Sequence, residues 1–419
     1  MRFKVRGSNK LSGEVAIKGA KNAALKIIPA AILASSPSVI KNVPRISDME
    51  KLVEIIKSIG AEIEFIGNEV RIDPRKINSF HLDEGLVKKL RGSIVLAGPL
   101  LARFEEVILS QPGGCLIGAR PIDDHLDVFR QMGVKIDYRD EKFFLTGKPK
   151  AGDIVLGKMS VTATENAMMA AVLSPGKTVI HVAAAEPEIK DLADFLNKMG
   201  AKIKGAGTHE IEIEGVDKLE GVEYEVLPDR IEAGTYIIAG LITGSEITVG
   251  PIVSHHSDIF FKKLKDIGAR FEIFTKDGKE YVKTLAGGKF IAGDIDPRPY
   301  PGFPTDLQPQ YAVLMTQAEG KTEIFDTLFD GRFRYLEELR LMKANTEILN
   351  PNRIIINGPT HLKGAEVSSL DIRGGAAVVL ASLIADGESI INNIEFVDRG
   401  YEDIDGKLKL MGAQIERIE

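Results

Sequence analysis

One phrase recurs six times along the 419-residue chain: an amphipathic helix, a short stop, then a strand. The copies read SIGAEIEFI (58–66), QMGVKIDY (131–138), KMGAKIKG (198–205), DIGARFEIF (266–274), LMKANTEIL (341–349) and LMGAQIERI (410–418). Glycine stands at 60, 133, 200, 268 and 412, and Ala344 is read as the residue replacing it in the fifth copy. The spacing divides the chain into six units of about 70 residues, and a fixed period of this kind constrains the fold more than composition can. In SDMEKLVEIIKSIGAEI, Ser47 and Glu50 have capping-box spacing, and Met49, Leu52, Val53 and Ile56 share a helical face. Gly60 then supplies a left-handed stop, and the alternation of AEIEFI predicts a strand.

Each unit also has an earlier half, a strand, a helix of small and apolar residues, and a returning strand. Examples are GEVAIKGAKNAALKIIPAAILASSPSVIKNV, DIVLGKMSVTATENAMMAAVLSPGKTVIHV and AEVSSLDIRGGAAVVLASLIADGESIINNI. Helices apolar on nearly every face are buried ones, so the strands are expected to surround them. Each unit therefore reads as βαβαββ. Six such units exceed one core, which predicts two domains of three. The opening strand MRFKVRG has no helix before it and is expected to pair with the C-terminal end. One domain would then be discontinuous, residues 1–20 plus 229–419, and the other would run from 21 to 228.

The hydrophobic fraction, 44%, supports substantial cores, and the charge of −6 (54 basic against 60 acidic residues) argues against a general nucleic-acid or anionic-membrane surface. Trp is absent, and aromatics make up 6%, too few for a platform that stacks single strands. The single cysteine forms no internal disulfide. The charged start MRFKVRGSNK has no signal-like apolar region, and runs such as GGAAVVLASLIA fall short of a membrane span, so a soluble cytoplasmic protein is expected.

Walker A, HExxH and GxSxG patterns are missing. The pair His255-His256 lacks a second ligand cluster and reads as a capping or solvated pair rather than a metal site. More informative are residues placed where the first helix of each unit begins: Lys21-Asn22, Arg91, Lys158, Arg230, Asp306 and Arg373. A helix N-terminus favours anions, and a cation there strengthens the preference. If the two domains face each other through these ends, a cleft ringed by Lys and Arg results. Cys115, in SQPGGCLIGARP, is either a small buried residue or a reactive one. Its glycine-rich loop and nearby Arg120 favour a thiol of lowered pKa, a nucleophile or proton donor.

The segments GAKNAALKIIPAAILA, RGSIVLAGPLLAR, PGGCLIGARPIDDHL, LPDRIEAGTY, PGFPTDLQPQ, LDIRGGAAVVLA and VDRGYEDI closely resemble, end to end and in order, the UDP-N-acetylglucosamine 1-carboxyvinyltransferase family of enolpyruvyl transferases. The resemblance implies an α/β fold of two inside-out α/β barrel domains, six βαβαββ repeats with three per domain. It implies transfer of the enolpyruvyl group of phosphoenolpyruvate to the 3-hydroxyl of UDP-N-acetylglucosamine, by addition and elimination, without metal or cofactor. That reaction is the first committed step of peptidoglycan precursor synthesis, on which bacterial wall, shape and division depend. By resemblance Lys21, Asn22, Arg120, Arg332, Arg373 and Arg399 hold phosphoenolpyruvate. Cys115 would be the proton donor, also alkylated by fosfomycin, and Asp306 would deprotonate the hydroxyl, with Lys21 and Arg399 also catalytic. The sugar nucleotide would lie against Asn22, Arg91, Arg120, Pro121, Ile122, Asp123, Asp124, Lys158, Ser160, Val161, Asp306 and Leu328.

The chain departs from the family pattern at Thr162 and Ala185, where glycine and arginine are usual, in FDGRFRYL and in LMKA. The shikimate-pathway enolpyruvyl transferase is the nearest alternative, disfavoured because GAKNAAL replaces its serine-rich start and PGGC is foreign to it. A silent UDP-sugar-binding paralogue is the other, and it would have no need of Cys115.

Overall fold

The computed structural model describes residues 1–7, 10–113 and 121–419. All six copies of the phrase form helix, stop and strand. The helices are Ser47–Ser58, Asp123–Gln131, Pro187–Lys198, Asp258–Asp266, Tyr335–Leu341 and Ile404–Leu410, and the strands are Glu62–Ile66, Lys135–Arg139, Lys202–Lys204, Phe271–Lys276, Thr346–Asn350 and Gln414–Ile418. Met49, Leu52, Ile55 and Ile56 are buried together, which gives the first of these helices its inward face. Two expectations need correction. The cap of the Ser47–Ser58 helix is Ile46, with no side-chain cap bond, so Ser47 is already helical and the capping box does not form. In the fifth copy the left-handed residue is Lys343 (φ 73°), not Ala344.

Lys343 thus adopts a backbone conformation that glycine adopts without strain, as Gly60 (φ 102°) and Gly412 (φ 103°) do in their copies. A side chain at such a φ costs about 1–2 kcal/mol, and the added freedom of glycine in the unfolded chain returns about 0.4–1. Lys343→Gly is therefore expected to stabilise by roughly 0.5–1 kcal/mol, read as a higher urea midpoint at unchanged slope; a lower midpoint would contradict the strain.

The described strands form six small sheets with a shared order. The phrase strand pairs antiparallel with a hairpin partner, which pairs antiparallel with the returning strand, which lies parallel to a fourth segment. For Lys202–Lys204 the series continues through Glu210–Glu214 and Lys177–His181 to Asp153–Val155. Two sheets have three full strands, and there the fourth segment is reduced to parallel bridges, His81 to Ile108 in one and Ile295 to Ile324 in the other. In the last sheet the partner of Gln414–Ile418 is the N-terminal strand Arg2–Arg6.

Each parallel pair is linked by a central helix, as the Val161–Ala171 helix links Asp153–Val155 to Lys177–His181. At two places the linkage is exchanged. The strand Ser12–Ala16, which precedes the Lys21–Ala30 helix, pairs with Glu246–Ile252, whereas Glu223–Glu225, which precedes the Arg230–Ile242 helix, pairs with Ser38–Lys41. The chain accordingly divides into two compact units, one of Met1–Lys18 and Pro228–Glu419, the other of the described residues from 19 to 227. Gly19 opens the second, and a Cβ there would lie 1.8 Å from the Asn42 carbonyl oxygen, so only glycine fits.

Six helices are buried at the centres of these units: Lys21–Ala30, Ala97–Phe104 and Val161–Ala171 in one, Arg230–Ile242, Gln308–Met315 and Ile372–Ile384 in the other. Small residues let them approach closely. At Gly98 a Cβ would meet Asn166 at 2.7 Å, and the Gly98 N–H instead donates to the Asn166 side-chain oxygen at 2.8 Å. The sequence reading of all-apolar helices as buried ones holds for this reason.

Candidate active site

The candidate residues sit where the central helices begin. Lys21, Arg230 and Arg373 lie in the first turns of their helices, Arg91 opens the Arg91–Leu96 3-10 helix that runs into Ala97–Phe104, Asp306 lies in the Thr305–Leu307 3-10 helix before Gln308–Met315, and Lys158 precedes Val161–Ala171.

In the unit of residues 1–18 and 228–419, Asp306 is shared by two buried arginines. Its Oδ1 accepts from Arg332 Nη2 at 2.6 Å, and its Oδ2 lies 3.2 Å from Arg373 Nη2 and accepts from Arg373 Nε at 3.2 Å. The arginine side chains are 1% and 5% exposed and the carboxylate 29%, so the acid is the accessible member of the cluster. Thr305 Oγ1 accepts from Arg332 Nε at 2.9 Å and donates to Asp326 at 2.7 Å. Asp326 in turn accepts the Leu328 N–H at 2.9 Å. Burial raises the Asp326 pKa against the hydrogen bond from Thr305. Arg373 is positioned by Asp371, whose carboxylate caps the Ile372–Ile384 helix by accepting from Arg373 N and Gly374 N.

Burial works against the charged form of Arg373, but Asp306, Tyr401 and Asp229 outweigh it and its pKa rises. Two guanidinium ions with one bridging carboxylate leave donors over. Arg332 Nη1 and Arg373 Nη1 are buried and have no acceptor among the described residues. Buried charged donors without acceptors are costly, and an anionic ligand is the chemistry that satisfies them. Arg399 is half-buried in the turn after the Ile394–Phe396 3-10 helix.

In the other unit, Lys21 Nζ lies 2.8 Å from Asp48 Oδ2, with both side chains buried. Asn22 follows in the same helical turn and is half-buried. Arg91 Nη1 reaches the Pro112 carbonyl at 3.4 Å, beside the entry to the glycine-rich loop. At Gly113 a Cβ would lie 2.4 Å from the Lys88 carbonyl oxygen, which explains the first glycine of PGGC. Cys115 and Arg120 lie outside the described residues.

Pro121 is exposed, Ile122 is buried at the cap of the Asp123–Gln131 helix, and Asp123 and Asp124 form its first turn. Asp124 pairs with Lys158 at 2.9 Å. The Ser160 carbonyl accepts from the Thr164 hydroxyl at 2.8 Å at the start of the helix opened by Val161. His125 is buried between Asn166 Nδ2 (2.8 Å from its Nδ1) and Thr162 Oγ1 (3.1 Å from its Nε2). Asn166 also donates to the Ile94 carbonyl and accepts from Gly98, which fixes its orientation. His125 Nδ1 therefore accepts, and its Nε2–H donates to Thr162. Burial first, then Arg91 and Lys158, lower the His125 pKa to about 3, which keeps it neutral.

The structure thus brings Asp306, Arg332 and Arg373 together, and Lys158 with Asp124. Sequence reasoning missed Asp48, Asp371, Thr305 and Asp326, the partners that hold those side chains. Asp371 did have a repeated signal, because Asp229 caps the equivalent Arg230–Ile242 helix in the same way. Asp48, Thr305 and Asp326 meet their partners through packing of separate elements, which the phrase does not encode. Among the described residues no group of three or more His, Cys, Asp or Glu is arranged to hold a metal ion.

The family model for EPSP synthase (3-phosphoshikimate 1-carboxyvinyltransferase) matches residues 5–408. The UDP-N-acetylglucosamine 1-carboxyvinyltransferase of Halothermothrix orenii is 44% identical over 420 residues, covering 100% of both chains. That of Bdellovibrio bacteriovorus is 43% identical over 417 residues, covering 99% of this chain and 100% of its own. Among solved structures, the enolpyruvyl transferase NikO from Streptomyces tendae is similar with a TM-score of 0.90 and 26% identity, over 99% of this chain and 98% of that one. EPSP synthase from Acinetobacter baumannii shares the fold with a TM-score of 0.77 at 18% identity, over 99% of each chain.

Proposed function

The chain belongs to the EPSP synthase family of enolpyruvyl transferases, and we propose that it transfers the enolpyruvyl group of phosphoenolpyruvate to the 3-hydroxyl of UDP-N-acetylglucosamine, releasing phosphate. The observation that carries the reading is the exposed edge of Asp306 between two buried arginines with spare donors. It offers a base and anion-binding groups in one cluster. Full-length identity above 40% to relatives named for the UDP-sugar reaction supports the acceptor.

Phosphoenolpyruvate bears a carboxylate and a phosphate, so several cations are needed to draw it out of water. In this reading Lys21, Arg120, Arg332, Arg373 and Arg399 supply them, and Asn22 orients the substrates. Arg91, the segment 120–124, Lys158, Ser160, Val161 and Leu328 hold the sugar nucleotide. Asp306 removes the proton of the 3-hydroxyl as that oxygen attacks the donor's C2, while the Cys115 thiol gives a proton to C3. The tetrahedral intermediate then loses phosphate from C2 and a proton from C3, which restores the double bond as an enol ether. No redox change occurs, and no metal is called on. We read the six sheets as the six βαβαββ repeats of inside-out α/β barrels, three in a domain of residues 21–228 and three in a domain of residues 1–20 plus 229–419. We place the enzyme in the cytoplasm at the first committed step of peptidoglycan precursor synthesis; no helix among the described residues is long and apolar enough to cross a membrane.

Phosphate release from phosphoenolpyruvate tests the acceptor. It is expected with UDP-N-acetylglucosamine and at background with shikimate 3-phosphate. The reverse preference would assign the chain to the shikimate-type reaction.

A further inference from the structure

The Lys21–Ala30 helix carries a second, deeper lysine that the reaction scheme does not use. Lys26 is 4% exposed and one turn below Lys21-Asn22. Its side chain runs back toward the helix start, and Nζ donates to the Asn22 carbonyl at 2.7 Å. A buried cation aimed at a helix N-terminus opposes the macrodipole, so it needs negative charge nearby. The negative group the structure offers is Glu165 of the Val161–Ala171 helix, 0% exposed, with Oε2 at 3.4 Å from Nζ. Neither Glu165 oxygen accepts a well-aligned hydrogen bond among the described residues.

We infer that Lys26 is a positioning residue for the anionic donor, lending positive charge to the turn of Lys21 and Asn22, and that Glu165 is its counter-charge, silent when protonated and competing with the donor when ionised. The inference rests on the reading of that turn as part of the phosphoenolpyruvate site. Burial, opposed by Lys26 and reinforced by Glu188 and Glu186, raises the Glu165 pKa to about 8. Other groups around the same helix act elsewhere: His125 is neutral, Lys21 is paired with Asp48, and Arg103 donates to the Ile32 and Pro74 carbonyls. At pH 7 Glu165 is mostly protonated, so the negative charge that the buried Lys26 side chain calls for comes from the bound donor. Above pH 8 the carboxylate supplies that charge instead and competes with the donor.

The test is kcat and KM for phosphoenolpyruvate from pH 6.5 to 9 in the wild type, Glu165→Gln, Lys26→Met and Lys26→Arg. The wild-type KM is expected to rise about five- to tenfold between pH 7 and 9 relative to Glu165→Gln, whose amide does not titrate. Lys26→Met should raise KM about tenfold at pH 7 with kcat changed less than about twofold, and Lys26→Arg should recover most of it. Parallel KM profiles in wild type and Glu165→Gln, or equal loss of kcat and kcat/KM in Lys26→Met, would overturn the inference. If UDP-N-acetylglucosamine supports no turnover, the proposed acceptor is wrong. Calorimetric titration of the same proteins with phosphoenolpyruvate then decides the Lys26–Glu165 question separately: affinity falling with pH in the wild type alone supports it, and equal falls refute it.

Discussion

Asp306→Asn is expected to lower phosphate release at saturating substrates by about 10²- to 10⁴-fold, the range for loss of a positioned general base. The amide keeps the shape of the side chain and can accept from Arg332, now 2.6 Å away, but it neither takes a proton nor balances charge. The variant should also be less stable, because Arg332 and Arg373 are buried and lose the anion they share. Phosphoenolpyruvate or inorganic phosphate should recover part of that loss in melting temperature more strongly than in the wild type, since an anion would replace the missing charge. A variant that keeps wild-type kcat would remove Asp306 from proton transfer. One that loses kcat and gains nothing from anions would leave Asp306 without its neighbours' proposed role.

Cys115→Ala should be comparably severe, about 10²-fold or more in phosphate release, while binding of UDP-N-acetylglucosamine stays within a few-fold of the wild type. Deleting one sulfur removes the proposed proton source for the donor's C3 and leaves the cationic groups in place. Fosfomycin should add its mass to the wild type in the presence of the UDP-sugar and not to this variant. Undiminished turnover in Cys115→Ala would take the thiol out of the mechanism.

The elements most legible in the sequence were those written locally. The phrase announces itself through apolar spacing and a glycine at a left-handed φ, as at Gly60, Gly133 and Gly200. Where lysine takes that conformation the glycine signal is missing, and the pattern places the stop one residue late, at Ala344 rather than Lys343. Ser47 failed for another reason: capping-box spacing does not say which residue has the extended backbone, and Ile46 has it. The exchange of Ser12–Ala16 and Glu223–Glu225 between sheets depends on pairing across about half of the chain; the unpartnered opening strand pointed to a discontinuous domain, but no local pattern says which strands exchange. The candidates at helix starts, Lys21, Arg91, Lys158, Arg230, Asp306 and Arg373, can be counted from the repeat, whereas Arg332 and Arg399 follow only from the family resemblance. The site's internal partners were not legible: Asp48 beneath Lys21 and Glu165 beside Lys26 are brought in by packing of separate helices.

Glu165 also ties the packing to pH. Its folded pKa of about 8 exceeds the ordinary 4.5, so the folded state holds a proton that the unfolded chain has released, and stability falls as pH rises between those values. Asp191, raised to about 7 by burial against the hydrogen bond from Tyr224, adds to the same trend. The Glu165→Gln variant used above should therefore flatten the decline in melting temperature over this window.

The central claim is that this chain joins one particular donor to one particular hydroxyl. Incubation with carbon-labelled phosphoenolpyruvate and UDP-N-acetylglucosamine, followed by NMR of the purified sugar nucleotide, tests it directly. The account predicts a labelled enol ether on the 3-oxygen, formed in step with phosphate release. Unmodified UDP-N-acetylglucosamine after prolonged incubation with active, folded protein, or label attached at any other oxygen, would contradict it.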